Sequence, residues 1–202
     1  MLNSLGMEIQ ILLYTVIIMS AIFHEYAHAW MAYYLGDPTA KDMGRLTLNP
    51  VPHIDPFGTI MLPLFLMLTG GFFIGYAKPV PFNPYNLRDQ KYGPAKVAAA
   101  GPASNLIIAL ILSTVLRFVS LDPLWIVAVS LIIYINIILA LFNLIPVPPL
   151  DGSKLLRIFT SVDLSFGNSF IGIAIALMVA FIFLPTLSQI VFQIFTGMPL
   201  PL

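Results

Sequence analysis

The chain has 202 residues, of which 59% are hydrophobic and only 9% are charged, whereas about 25% are charged in an ordinary soluble domain. This composition excludes a soluble globular enzyme, and the balance of nine Lys and Arg against nine Asp and Glu excludes a nucleic-acid-binding protein. A mean hydropathy of +0.94 indicates a membrane protein with about four to six spans of roughly 20 residues.

The first predicted element is one long helix that crosses the membrane over residues 8–35. Residues 9–23 contain no ionisable side chain, and the apolar character resumes after His28. The apolar run is too long for a signal-peptide core and has no basic start, so we expect it to be retained as a span. Gly36-Asp37-Pro38 ends the helix, because glycine supplies an end cap and proline cannot continue it.

The stretch after this helix is predicted to lie at the membrane surface. Residues 40–56 are polar and rich in proline, with a short alternation that predicts a strand at Arg45–Leu48. Residues 57–74 are apolar but interrupted by a proline and two adjacent glycines, so hydropathy leaves open whether they span the bilayer or re-enter. Residues 76–96 contain four Lys and Arg and four prolines, which is typical of an interfacial segment.

Three further spans are predicted at 94–119, 124–145 and 166–195, the last with a kink or break at Pro185. Residues 147–152 (VPPLDG) must be non-helical at their prolines. The predicted fold is therefore an all-α integral membrane protein, a polytopic helical bundle of about four full spans. It also has a re-entrant segment or additional span at 57–74 and a short interfacial strand region, within one domain over residues 1–202.

One motif inside the first helix points to metal chemistry. His24-Glu25-Tyr26-Ala27-His28 matches H-E-x-x-H, which on a helix places two His one turn apart on one face. Both could bind one zinc ion, with the Glu as general base. Ionisable residues cost about 2.5–3.5 kcal/mol each within a span, so chance does not readily place three within five positions. The alternative is a polar patch at a helix interface without a metal.

A third ligand must be a His or a carboxylate, because the chain has no cysteine. His53 and Asp55 lie in a proline-flanked loop, where turn and surface roles are the simpler interpretation, and Asp122 and Asp163 lie in turns. Asp151 follows three prolines at the end of a span, and irregular backbone at membrane depth must be buried in protein or line a water-filled cavity. The residues alone leave open whether Asp151 is a ligand or a helix N-cap.

The order of motifs along the chain resembles a known family. HEYAH within a first apolar helix, followed far downstream by the segment NLIPVPPLDG (143–152), is similar to the site-2 protease family of intramembrane zinc metalloproteases. The segments GRLTLNPVPHIDPFGT (44–59), YAKPVPFNP (76–84) and AAGPASNL (99–106) resemble the short form of that family in the same order. The resemblance covers nearly the whole chain.

This resemblance implies a site and its partners. It implies one zinc ion held by His24, His28 and Asp151, with Glu25 as general base. It also implies that Asn143 lies at the active site, where it would bind the substrate backbone or stabilise the oxyanion. The implied partners are a membrane-protein substrate and the lipid bilayer, and a regulatory or oligomeric partner is left open. No polar stretch is long enough for the PDZ-like or CBS-like domain of larger members.

A shared zinc ion would also determine the topology. His24 and Asp151 would have to reach the same depth, and the basic residues that follow each of them indicate the cytoplasmic side. The number of crossings between them must then be even. Because 94–119 and 124–145 already supply two crossings, we expect 57–74 to re-enter. We expect a prokaryotic cytoplasmic membrane with the active site towards the cytoplasm.

The sequence therefore predicts a zinc-dependent intramembrane endopeptidase that cuts a substrate helix after local unwinding. Arg45–Leu48 or Lys78–Pro84 could hold the unwound substrate by strand addition, although Lys78–Pro84 could equally be a rigid connector. Asn105 and Asn136 are interpreted as packing contacts. One alternative is a metal-binding transporter, which the absence of ionisable residues from the later span cores argues against. The other is a catalytically inactive scaffold, which the intact set of site residues argues against.

Overall fold

The computed structural model describes residues 7–68, 77–159 and 170–201. Helical elements make up most of the described chain. The α-helices are α1 (Met7–Tyr34), α2 (Thr39–Asp42), α3 (Leu62–Leu68), α4 (Gly93–Phe118), α5 (Pro123–Asn143), α6 (Asp151–Phe159) and α7 (Phe170–Thr196). Short helical turns lie at Val51–His53, Pro56–Met61 and Pro84–Asn86.

Three of the described helices are long and apolar enough to cross a membrane: Ile11–Tyr34 within α1, all of α4 and all of α5. They coincide with three of the predicted spans. The fourth predicted span coincides with α7, whose part from Ala180 to Thr196 is also apolar. Large apolar side chains on α7, including Phe181 and Phe183, are exposed, as expected for a surface that faces lipid. The prediction of a polytopic helical membrane protein is confirmed.

Helix α4 lies at the centre of the bundle and packs against α1, α5, α6 and α7. Its contact with α1 is close because small residues lie there: Ala32 of α1 packs with Val97 of α4, and Gly101 of α4 faces the rings of His24 and His28. Small residues let two helix backbones approach within a membrane, where association depends on packing rather than on the hydrophobic effect. Helix α1, which carries both histidines of the HEYAH motif, is thereby held directly against α4.

The predicted strand at Arg45–Leu48 is wrong. These residues form bends, and the described residues contain no strand. Arg45 turns inward instead, where its guanidinium donates to the carbonyl oxygens of Pro52 at 2.6 Å and Pro79 at 3.3 Å. His53 is buried and donates from Nε2 to the Thr47 carbonyl at 2.9 Å. The Thr47 carbonyl is occupied by His53, and the Arg45 N–H donates to the Ala40 carbonyl of α2, so these backbone groups are not available for strand pairing.

The described residues that flank the apolar segment at 57–74 lie side by side. The Lys78 N–H donates to the His53 carbonyl at 2.9 Å, and Arg45 links Pro52 to Pro79. Between these ends, Asp55 caps the turn at Pro56–Met61, and the Tyr14 hydroxyl of α1 donates to the Thr59 carbonyl. The rest of the predicted re-entrant segment, at 69–74, lies outside the described residues. We call the Lys78, His53 and Arg45 contacts the clasp.

The end of α1 is joined to the segment that follows the clasp. The buried Asp37 carboxylate accepts hydrogen bonds from the Asn83 N–H at 2.6 Å, from the Asn86 amide at 2.9 Å and from Thr39. Burial raises the pKa of this carboxyl, but the hydrogen bonds lower the pKa by more, so the pKa lies below its ordinary value. The ionised Asp37 therefore holds residues 83–86 against the same end of α1 that carries the HEYAH motif.

Candidate metal centre

Helix α1 presents His24 and His28 on one face, as the i, i+4 spacing predicts. Their Nε2 atoms lie 3.0 Å apart, and their rings meet edge to face. His24 is buried, and His28 is partly buried. Two imidazole nitrogens at this distance, both facing the same side, can bind one metal ion.

Asp151 reaches these histidines from the other end of the chain. It is the first residue of α6 and is buried, and its Oδ2 lies 3.2 Å from Nε2 of His24 and 3.0 Å from Nε2 of His28. Among the described residues, these three form the group of His, Cys, Asp and Glu side chains that could hold a metal, with their ligand atoms within 4.8 Å of one another. His53 and Asp55 lie in the clasp region, outside this group.

The hydrogen bonds around the two imidazoles test whether the site fits a cation. Nδ1 of His28 lies 2.7 Å from the Val97 carbonyl oxygen, and Nδ1 of His24 lies 2.7 Å from Oδ1 of Asn105. A carbonyl oxygen only accepts, so both Nδ1 atoms must donate, and a neutral imidazole then carries its lone pair on Nε2. Two lone pairs and a carboxylate oxygen converge at this point, which is unfavourable unless a cation binds between them.

Gly101 leaves room for that cation. A Cβ at this position would lie 2.4 Å from Nε2 of His28 and 2.6 Å from Nε2 of His24. The absence of a side chain on this face of α4 therefore opens the space into which both ligand nitrogens point. Two nitrogens and one carboxylate oxygen, with space for a further ligand, are the donor set typical of catalytic zinc. The residues present thus fit a zinc ion.

A cavity of about 380 Å³ adjoins the three ligands and is lined also by Glu25 and Asn143. Oε2 of Glu25 accepts a hydrogen bond from the Val80 N–H at 2.7 Å. The Asn143 amide donates to the Leu139 carbonyl, one turn earlier on α5, at 2.9 Å. The structure thus places both predicted catalytic side chains on the wall of the cavity that contains the predicted ligands.

Lys154 is a site residue that the sequence interpretation missed. Its Nζ lies 3.3 Å from Oδ1 of Asp151, so the second carboxylate oxygen is paired while Oδ2 faces the histidines. The i, i+3 spacing in Asp-Gly-Ser-Lys was the available signal.

Asn105 was interpreted from the sequence as a packing residue, yet it contacts a predicted ligand. It lies four residues after Gly101 on α4, so both positions share the face that meets α1. That spacing is visible in AAGPASN. This spacing could have suggested that the Asn105 amide and the space left by Gly101 lie on the same side of the histidine pair.

Comparison with known proteins finds relatives that are named as zinc metalloproteases. A sequence profile of peptidase family M50 matches residues 120–187, a range that includes Asn143 and Asp151. YwhC of Bacillus subtilis, named as a zinc metalloprotease, is 42% identical over 150 residues, which cover 70% of this chain and 65% of YwhC. Rip2 of Mycolicibacterium smegmatis, also named as a zinc metalloprotease, is 32% identical over 139 residues, covering 67% of this chain and 52% of Rip2.

Rip2 of Mycobacterium tuberculosis is 29% identical over the same length, again with 67% and 52% coverage. The chain thus spans a little under two thirds of YwhC and about half of the two Rip2 proteins. No solved structure matches the chain.

Proposed function

Because the chain belongs to the site-2 protease family, peptidase family M50, we propose that it is a zinc-dependent endopeptidase that cleaves transmembrane or membrane-adjacent segments of other proteins. The observation that carries this proposal is the convergence of Nε2 of His24, Nε2 of His28 and Oδ2 of Asp151 beside a cavity that Glu25 also lines. Hydrolytic zinc enzymes have a carboxylate next to a three-ligand zinc site. The position of Glu25 beside the three candidate ligands therefore supports peptide hydrolysis.

The residues of the cavity divide the chemistry between them. When bound by His24, His28 and Asp151, zinc supplies Lewis-acid chemistry, polarising the scissile carbonyl and acidifying the attacking water. Glu25 takes the proton from that water and delivers it to the leaving amine nitrogen. Asn143 has a second amide N–H beyond the one given to Leu139, and this N–H donates to the substrate carbonyl oxygen as negative charge develops there.

The substrate enters as an extended chain, because a helix hides its peptide bonds. Residues 77–83 have no regular helical structure, and Pro79, Val80 and Phe82 line the cavity. This supports Lys78–Pro84 as the segment that holds the unwound substrate. In an extended segment, alternate residues present their backbone groups to the same edge. Pro79 and Pro81 have no N–H, so the edge to which they belong can only accept hydrogen bonds at these positions. On the other edge, the Lys78 and Val80 N–H groups already donate to the His53 carbonyl and to Glu25, so the segment would hold a substrate strand mainly through its carbonyl oxygens.

Metal removal should abolish proteolysis by the purified protein. We expect the wild-type chain in detergent to contain one zinc per chain and to cut members of a panel of single-span substrates. A chelator should stop cleavage, and added zinc should restore it. Metal content and gel-based cleavage measure both parts. Absence of zinc would contradict the site, cleavage that persists after zinc removal would contradict the mechanism, and zinc binding without any cleavage would favour the inactive scaffold.

We further propose that the chain is one membrane-embedded domain whose active site faces the cytoplasmic side. The clasp supports an even number of crossings between His53 and Lys78, because the chain returns to the point it left. Helices α4 and α5 then add two crossings, so the end of α1 and the start of α6 share a side. The basic residues 78, 88, 91 and 96 would lie on that side, in agreement with the positive-inside rule.

Labelling of a single cysteine tests this topology cleanly, since the chain contains no cysteine of its own. We expect Arg88→Cys to react with a membrane-impermeant thiol reagent only when the cytoplasmic face is exposed, as in inverted vesicles. A matched variant, Ser120→Cys, lies between α4 and α5 and should react only from the opposite face. Reaction of both cysteines from one face would contradict the proposed crossings.

A further inference from the structure

Three polar side chains from three helices form a buried chain that ends at His24. Asn105 on α4 lies with Oδ1 2.7 Å from Nδ1 of His24, and its Nδ2 donates to Oδ1 of Asn136 on α5 at 2.8 Å. The Asn136 amide donates in turn to Oγ of Ser20 on α1 at 3.0 Å. Asn105, Asn136 and Ser20 are each at most 4% exposed. We call these three residues the amide chain.

Two backbone carbonyls determine which way each amide faces. The Asn136 Nδ2 also donates to the Ile132 carbonyl at 2.8 Å, and the Asn105 Nδ2 also donates to the Ser20 carbonyl at 3.2 Å. A carbonyl oxygen only accepts, so rotating either amide by half a turn would place two oxygens against each other. The Asn136 Oδ1 must therefore face Asn105, and the Asn105 Oδ1 must face His24.

The orientation of Asn105 determines the tautomer of His24. With an acceptor at Nδ1, the ring carries its proton on Nδ1 and leaves Nε2 free to bind a metal. If the Asn105 amide turned around, its N–H would face Nδ1, and the proton would move to Nε2, where it blocks binding. His28 has no such dependence, because a backbone carbonyl, that of Val97, fixes its Nδ1 directly.

We infer that Asn105 and Asn136 are positioning residues that hold His24 in the tautomer able to bind zinc. This inference rests on the zinc site of the proposed function and extends it to α5, which supplies no zinc ligand. Simple helix packing by buried amides, the interpretation made from the sequence, predicts a loss of stability on substitution. It predicts no selective loss of zinc and no dependence on which group faces His24.

The decisive variant is Asn136→Leu, which leaves His24 and Asn105 in place but removes the closer of the two acceptors of the Asn105 amide, Oδ1 of Asn136 at 2.8 Å, and leaves only the Ser20 carbonyl at 3.2 Å. We expect zinc affinity, measured by competition with a fluorescent chelator, to fall roughly 10- to 100-fold, the usual effect of losing an outer-shell partner. Adding Asn105→Asp should restore the affinity, because a carboxylate offers an acceptor oxygen in either orientation. Ser113→Ala, a buried α4 change at a side chain bonded to the Ala109 carbonyl, should leave the zinc affinity unchanged.

A second readout reports the tautomer itself. The chain has three histidines, so a ¹⁵N spectrum of histidine-labelled protein separates them. In metal-depleted wild type we expect the His24 proton on Nδ1, and in Asn136→Leu a shift of that proton towards Nε2. Should Asn136→Leu fail to fold, Asn105→Ala carries the test, because it removes the acceptor at Nδ1 of His24 directly and should shift the proton towards Nε2 and lower the zinc affinity.

Each result separates this inference from the proposed function. Wild type that binds zinc, with an Asn136→Leu variant that folds and keeps both the affinity and the tautomer, would overturn the positioning role alone. Loss of zinc in Asn136→Leu that Asn105→Asp fails to reverse would also overturn it. Wild type without zinc would instead overturn the proposed function.

Discussion

Replacing Gly101 with alanine should abolish zinc binding and proteolysis while the helices still assemble. The new Cβ would lie 2.4 Å from Nε2 of His28 and 2.6 Å from Nε2 and Cε1 of His24, in the space that the metal needs. The imidazoles cannot turn away easily, because each Nδ1 is held at 2.7 Å by an acceptor on α4. We expect zinc affinity to fall by about 100-fold or more, the upper range for changes that disturb ligating histidines.

Gly93→Ala is the matched control for this change. It alters the same helix by the same methyl group, but its Cβ meets the flexible side chain of Leu87, with Cδ1 at 3.0 Å. Zinc content, chelator competition and far-UV circular dichroism should be measured for both variants. A Gly101→Ala protein with wild-type zinc affinity would contradict the placement of the metal between α1 and α4.

Glu25→Gln should leave zinc bound and remove cleavage. Glutamine has nearly the same shape and keeps an oxygen that can accept from the Val80 N–H, the contact at 2.7 Å, so the fold and the ligands should be undisturbed. It cannot take a proton from water. Because general-base catalysis contributes about 10²- to 10⁴-fold, cleavage rates at saturating zinc should fall by about that factor.

The chain offers its own control for this substitution, since Glu8 is its only other glutamate. Glu8 is on the same helix, about 25 Å from Glu25 at 1.5 Å per residue, and Glu8→Gln should cut at the wild-type rate. Single-turnover cleavage and metal content should be measured in parallel. If Glu25→Gln lost zinc together with activity, Glu25 would act through the metal site; if it cut normally, another group would be the base.

The sequence predicted most of the helical architecture because the apolar runs are long and bounded by Gly and Pro. It also placed His24 and His28 on one face, since an i, i+4 pair depends only on helix geometry. Asp151 was different: 127 residues separate it from His24, and no local periodicity connects them. Only the resemblance to a family favoured it over a helix cap.

The errors have a common physical cause. Arg45–Leu48 alternates as a strand does, but Arg45 is drawn inward by the carbonyls of Pro52 and Pro79, which the sequence does not show to be neighbours. Asn105 and Asn136 do bond neighbouring helices, as expected from the sequence, but the sequence does not show that this chain of bonds ends at His24. Contacts between distant segments decide each of these roles, and pattern within one segment does not report them.

The clasp has a consequence for how the chain tolerates change. Its bonds join His53, Arg45 and Lys78 at the base of the segment they enclose, and all three acceptors are backbone carbonyls, those of Pro52, His53 and Pro79. The closure therefore does not depend on what the enclosed residues are. Doubling the length of a closed loop costs only about 0.6 kcal/mol in entropy, so residues inserted into or removed from the enclosed segment should change the stability of the fold little. The proposed zinc ligands, which lie on α1 and α6 outside it, would keep their geometry.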